Sequence, residues 1–391
     1  MNHHIVPAGF IMALAIAIAP AVQAQGKLTT TLYGVANAQF EYIDANGAAL
    51  PAQDKPGRTR VSNVSSELGI KAQLPLGDGM TGLAQYTTGI AVDNGNGSTN
   101  AGMFGSAKDV FVGIRFDDIG TVKLGRMTAA ARWNSGTADF SPMGAGLQDV
   151  QGMLSGASGQ SVVGPQFNVR FDNTVAFESA SFKGLSARAY FSANEGRSAA
   201  GTANSPHLND SSVSLGVQYV IGAFDLRASL EQRNDKGTLN GTTDRNTRDR
   251  DFRFGLRYKL SSATTLALGY DRMRLSDDDA TGATKRQLDK HGVVVSARHA
   301  MGKHVVYGGV GIGSDVRCSN ANNTMCSGTD TGARNGVIAY QYLLDQQMMF
   351  ETFATIIKNE ARGRYDFDSG GIGVATGANS RAVGAGLRYA F

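Results

Sequence analysis

From about residue 27 onward, apolar and polar positions alternate with a period of two. Phe252, Phe254, Leu256, Tyr258 and Leu260 are interleaved with Arg253, Gly255, Arg257 and Lys259. Phe224, Leu226, Ala228 and Leu230 alternate with Asp225, Arg227, Ser229 and Glu231, and Val383, Ala385, Leu387, Tyr389 and Phe391 alternate with Gly384, Gly386 and Arg388. Side chains on a strand point to opposite faces in turn, so each run predicts a strand of about ten residues with one apolar and one polar face. The connections alternate as well. Short turns fall near Gly77-Asp78-Gly79, Asp118-Ile119-Gly120, Lys183-Gly184, Ile221-Gly222, Ser261-Ser262, Met301-Gly302 and Asp345-Gln346. Longer polar loops fall near 44–60, 93–106, 127–165, 193–211, 234–249, 276–289, 315–332 and 361–379. Seven turns and eight loops make sixteen strands, with all long loops on one rim. A β-sandwich would not sort its connections by length in this way, and a propeller would show a repeat period that is absent.

Lipid offers no partners for backbone hydrogen bonds, so strands that span it must close on themselves. Sixteen of them leave room for water. The fold predicted is all-β, a 16-stranded antiparallel transmembrane β-barrel. Aromatics near strand ends, among them Tyr33, Tyr42, Tyr86, Phe111, Tyr219, Phe224 and Tyr389, fit girdles at the two interfaces. Residues 5–22 are an apolar run ending in Val22-Gln23-Ala24, which predicts a signal peptide over 1–24 and a barrel domain over 25–391. Pro7, Gly9 and Pro20 interrupt the run and argue against a membrane anchor.

Composition narrows the functions. Glycine accounts for 50 of 391 residues and proline for 8, without a collagen period. A net charge of +4 with no basic block gives no support for nucleic-acid binding. Two cysteines, Cys318 and Cys326, exclude a disulfide-dense scaffold, and in an oxidising compartment they are expected to form a disulfide pinning their loop. Neither a zinc-protease H-E-x-x-H nor a G-x-S-x-G elbow is present, and the mature histidines are only His207, His291, His299 and His304. No catalytic residue, metal site or cofactor is expected. Asp277, Asp278 and Asp279 read as a solvated loop tip.

Several segments resemble the general bacterial porins, the trimeric outer-membrane type of beta-proteobacteria. They are Leu32-Tyr33-Gly34-Val35, Leu68-Gly69-Ile70-Lys71, Phe111-Val112-Gly113-Ile114, Leu124-Gly125-Arg126, Arg170-Phe171-Asp172-Asn173-Thr174-Val175 and Gly386-Leu387-Arg388-Tyr389-Ala390-Phe391. The resemblance implies a homotrimer in contact with outer-membrane lipid and lipopolysaccharide, passing small hydrophilic solutes and ions by diffusion. It implies that the terminal Phe391 is an assembly signal. It also implies that the long third loop, 127–165, folds into the lumen. That loop carries Arg132, Trp133, Asp139 and Asp149, and its carboxylates opposite wall cations would set a transverse field. By motif the wall cations are Lys108, Arg126 and Arg170. Glu67 departs from the pattern, since arginine often precedes Leu-Gly there, and an acid at that place weakens the positive side. Weak selectivity of undetermined sign follows. Arg188, Arg227, Arg253, Arg257 and Arg298, on inward faces, leave open an alternative: a substrate-selective porin for a small anionic or sugar solute.

Overall fold

The computed structural model describes residues 26–94, 106–154, 167–193, 210–235, 245–278, 285–319 and 328–391. The segment read as a signal peptide lies outside these residues, as do Cys326 and the side chain of Cys318.

Eighteen hydrogen-bonded segments form one antiparallel sheet. Lys55–Asn63 and Glu67–Gly77 are two halves of one strand, because both pair with Thr29–Asn46. His304–Gly313 and Arg317–Ser319 likewise share Lys285–Met301 as neighbour. The barrel therefore has sixteen strands. It closes where Thr29–Asn46 pairs with Asn379–Ala390, with Val35 opposite Ala390 and Asn46 opposite Asn379. Phe391 extends the seam: Gly34 N donates to its carbonyl at 2.9 Å, and its own N–H donates to Gly34 O at 3.0 Å. Short turns and long loops alternate along the chain as the sequence predicts.

The burial pattern is that of a molecule inverted relative to a water-soluble one. Leu32, Phe40, Val112, Leu230, Val310 and Ile338 are exposed on the outer surface, while Asn37, Gln39, Glu41, Ser214, Ser229 and Glu231 are buried on the inner one. A continuous apolar exterior of this size needs lipid to cover it. No helix among the described residues is long and apolar enough to cross a membrane, so the crossing is made by strands. Two of the aromatics expected in the interfacial girdles turn inward instead. Leu32 and Val112 take the lipid face, so their neighbours Tyr33 and Phe111 point to the lumen, under the Lys71 and Lys123 ammonium groups at 4.4 and 4.8 Å from the ring centres.

The interior has an apolar core as well as polar walls. Ala138, Leu147, Val150, Met153 and Leu154 of the third loop pack with Val294, Tyr307 and Phe353 of the wall and with Tyr365 and Phe367 of the last long loop. Both loops therefore enter the barrel. The family resemblance implies this only for the third.

Candidate functional site: the lumen and its constricting loop

The third loop leaves the strand Gly120–Thr128 and starts with a short helix, Ala130–Ser135. It is seated on the wall by side chains that the period-two pattern turns inward. Ala130 N donates to Ser214 Oγ at 3.0 Å, and Asn134 Nδ2 donates to the Arg253 carbonyl at 3.0 Å. Arg253, fully buried, donates to the Ala131 carbonyl at 3.0 Å. Arg257 donates to the carbonyls of Thr137, Gly136 and Asp139 at 2.7, 2.6 and 3.0 Å. The lone tryptophan, Trp133, has two guanidinium groups over its ring, Arg188 at 3.6 Å and Arg227 at 4.7 Å. Wall glycines make room for this seat. A Cβ on Gly292 would lie 2.4 Å from the Met153 carbonyl oxygen. Further along, Gln148 Nε2 donates to Glu351 at 2.6 Å on the far wall, so the loop crosses the lumen.

Asp139 and Asp149, expected to face the wall cations as open carboxylates, are buried inside the loop. Asp139 accepts from Ser141 N at 2.9 Å, Ser141 Oγ at 2.6 Å and Gln151 Nε2 at 3.0 Å. Asp149 accepts from Gln151 N at 2.6 Å. Burial raises the Asp139 carboxyl to about 6, although its hydrogen bonds from Ser141 and Gln151 pull the other way. Burial also raises Asp149 well above the ordinary carboxylate range. Asp139 and Asp368 of the last loop add to that rise by like-charge repulsion, and Asp149 shares a hydrogen bond with Asp368. Asp368 is raised by burial too, against the pull of Arg132. Repelling carboxylates in a dry place hold a proton between them.

The cations are gathered differently. Lys108 Nζ meets Glu67 Oε2 at 2.8 Å and the Ser65 carbonyl at 2.9 Å. Arg170 Nε meets Asp109 Oδ1 at 2.8 Å, and the same oxygen accepts from Thr128 Oγ1 at 2.8 Å. Arg126 pairs with Asp172 and donates to the Ala107 carbonyl at 3.1 Å. Arg132 donates to the Asn168 carbonyl at 2.9 Å. Burial lowers the Arg132 guanidinium to about 10; Arg170 lowers it further, while Asp368, Asp109 and Asp149 act the other way. Lys108, Arg132 and Arg170 thus form one electrostatic group with Glu67 and Asp109. Asp109, Asp172 and Asp368 were not singled out by sequence reasoning. The first two lie within a few residues of predicted cations, but bulges at Tyr86/Thr88 and Gly125/Met127 re-aim the strands there, and alternation does not reveal the partners.

A closed transmembrane barrel with a polar interior and an inward loop defines a membrane channel. The chain matches the family model of Gram-negative porins over residues 11–391 and belongs to that family. It is an outer-membrane porin, through which small solutes diffuse passively. Its fold is similar to the anion-selective porin from Comamonas acidovorans, at 18% identity and TM-score 0.73, covering 93% of this chain and 100% of that one. It is also similar to OmpT of Vibrio cholerae in its trimer form, at 14% identity and TM-score 0.66, covering 94% and 100%. Salmonella typhi OmpF in complex with daunomycin is similar at 14% identity and TM-score 0.61, covering 93% and 97%. No curated protein sequence matches the chain.

Proposed function

We propose that this porin is a general diffusion channel with a weak preference for anions, and that its selectivity is set by Lys108, Arg132 and Arg170 acting against Glu67 and Asp109. The observation that carries the reading is the pairing itself. Two of the three cations have a carboxylate at 2.8 Å, which leaves Arg132 as the excess charge. Opposite charges this close cancel at the distance of a passing ion, so the field is small and positive. Asp139 and Asp149 contribute less than their position in the sequence suggests, because they are buried and their carboxyls hold protons to higher pH.

A track for one chosen solute is less well supported. Four of the five arginines that could form it are engaged with the loop: Arg188 and Arg227 on Trp133, Arg253 and Arg257 on loop carbonyls. The channel works without catalysis or cofactor. We take the functional unit to be a homotrimer, by analogy with the trimeric Vibrio structure, with its apolar exterior against outer-membrane lipid and lipopolysaccharide. Planar-bilayer conductance tests the reading. Steps in groups of three, with a small reversal potential of anion sign in a KCl gradient, are expected. Silence, or block by a single solute at low concentration, overturns it.

A further inference from the structure

The last long loop, between Asn359 and Asn379, is tied at its neck and stitched at its tip. Asn359 Nδ2 donates to the carbonyls of Tyr365 and Ala378 at 2.8 and 2.6 Å, and its Oδ1 accepts from Tyr365 N at 2.8 Å. Gly377 N donates to Gly363 O at 2.8 Å. Asp366 accepts from Phe367 N at 2.8 Å and from Gly373 N at 2.7 Å, so the chain turns back on itself. A loop whose ends meet and whose backbone is bonded within itself keeps one shape.

That shape is a strap inside the barrel. At one end Tyr365 is buried over Gly313, where a Cβ would stand 2.5 Å from the tyrosine oxygen, and the Lys290 ammonium is 4.7 Å from its ring centre. At the other end the Gly370 carbonyl accepts from Arg60, which is held in turn by Glu41 at 2.5 Å. Gly313 and Arg60 belong to His304–Gly313 and Lys55–Asn63, and the strands Ala333–Leu343, Met348–Asn359, Asn379–Ala390 and Thr29–Asn46 lie between them in the sheet. The strap therefore cuts one segment off the lumen. Behind it the wall is apolar and packed, with Ile43, Val337, Phe353, Ile357 and Ala382 in one buried cluster. Water and hydrophilic solutes have no favourable path through such a filling.

The strap also bears on the third loop. Phe367 is fully buried in the same cluster as Leu147, Val150 and Met153. A Cβ on Gly370 would stand 3.5 Å from the Leu147 side chain, and Asp368 shares a hydrogen bond with Asp149. We propose that the last loop is the second half of the constriction: it walls off the apolar segment of the lumen, seats the tip of the third loop, and with it sets the size limit for solutes. Asn359, Asp366 and Arg60 are its positioning residues, and Phe367 is its joint with the third loop. The inference rests on the reading of the chain as an open diffusion channel.

The test removes the strap from the full chain. Asp366 and Gly373 already touch, so deleting residues 367–372 joins two ends that lie side by side and leaves the strand ladder as it is. Unit conductance in KCl is expected to rise about twofold, since conduction follows the width of the pore. Liposome swelling with neutral sugars of increasing size reads the size limit apart from charge. The deletion is expected to admit a neutral trisaccharide that the wild type excludes. Phe367→Ala and Leu147→Ala, alone and together, serve if the deletion does not fold. Each is expected to speed trisaccharide entry, and the double variant to match the larger single effect, because both changes loosen one body. The heat-stable folded band on electrophoresis is expected in all of them. Unchanged conductance and an unchanged sugar ranking, in the deletion or in both alanine variants, overturn the proposal. So do alanine effects that simply add, which make the two loops independent. Failure of the wild type to conduct in bilayers is a separate result and counts against the channel reading alone.

Discussion

Lys108 Nζ lies 2.8 Å from Glu67 Oε2, and both side chains are largely buried in the wall. The acid that departs from the family pattern is therefore the direct partner of a wall cation. Removing it leaves a lumen charge unanswered.

Glu67→Gln should raise anion preference. One uncancelled charge about 8 Å from an ion in a water-like medium lowers a chloride's energy by about 0.5 kcal/mol and raises a potassium's by about as much, so the chloride-to-potassium permeability ratio should rise about fivefold. Lys108→Gln should move it the other way by a similar factor. The reversal potential in a KCl gradient reads both. No shift in either variant would remove this pair from the selectivity mechanism.

Trp133→Ala should loosen the third loop without unfolding the barrel. The ring carries two guanidinium groups at 3.6 and 4.7 Å, each contact worth about 0.5–2 kcal/mol. The strand ladder is untouched by the change. Larger, noisier conductance steps are expected, with the heat-stable folded band on electrophoresis retained. A variant with steps as quiet as wild type would show that the carbonyl contacts of Arg257 suffice.

Gly292→Ala probes the fit of loop to wall. Its Cβ would stand 2.4 Å from the Met153 carbonyl oxygen and 2.9 Å from Leu154 Cα, both backbone atoms that cannot rotate away. Overpacking of this kind costs about 1–3 kcal/mol. The loop should shift into the lumen, and unit conductance should fall.

Acid should tighten the seat of the third loop. Asp139 is raised to about 6, and Asp149 and Asp368 are raised as well, all with burial as the first cause. A carboxyl whose folded pKa exceeds its unfolded one binds more protons when folded. Stability from it is present in full below the unfolded value and is lost as pH rises through the folded one. For Asp139 that window runs from about 4 to about 6, and a shift of this size corresponds to roughly 3 kcal/mol. Hydrogen exchange of the amides of 139–153 should therefore be better protected at pH 5 than at pH 7.5, after correction for intrinsic rate. Asp149→Asn should flatten the difference. Equal protection at both pH values in the wild type would contradict the shared proton between the two loops.

The period-two alternation determined most of this protein by itself. Which residues face lipid, how many strands there are and which rim carries the long loops all follow from local pattern, because a strand's pleat fixes faces without reference to anything distant. The need for closure follows too, since lipid cannot satisfy an open edge. The tertiary structure alone decided the charge pairing. Glu67 with Lys108 and Asp109 with Arg170 are ion pairs that reach across one intervening strand, and Asp149 meets Asp368 because two loops fold inward. Tyr33 and Phe111 read as girdle residues until register put them on the lumen face. A carboxylate's role depends on what surrounds it in three dimensions: the same aspartate is an open charge in water and a proton holder in a dry loop. Alternation locates a residue on a face but does not name its partner there.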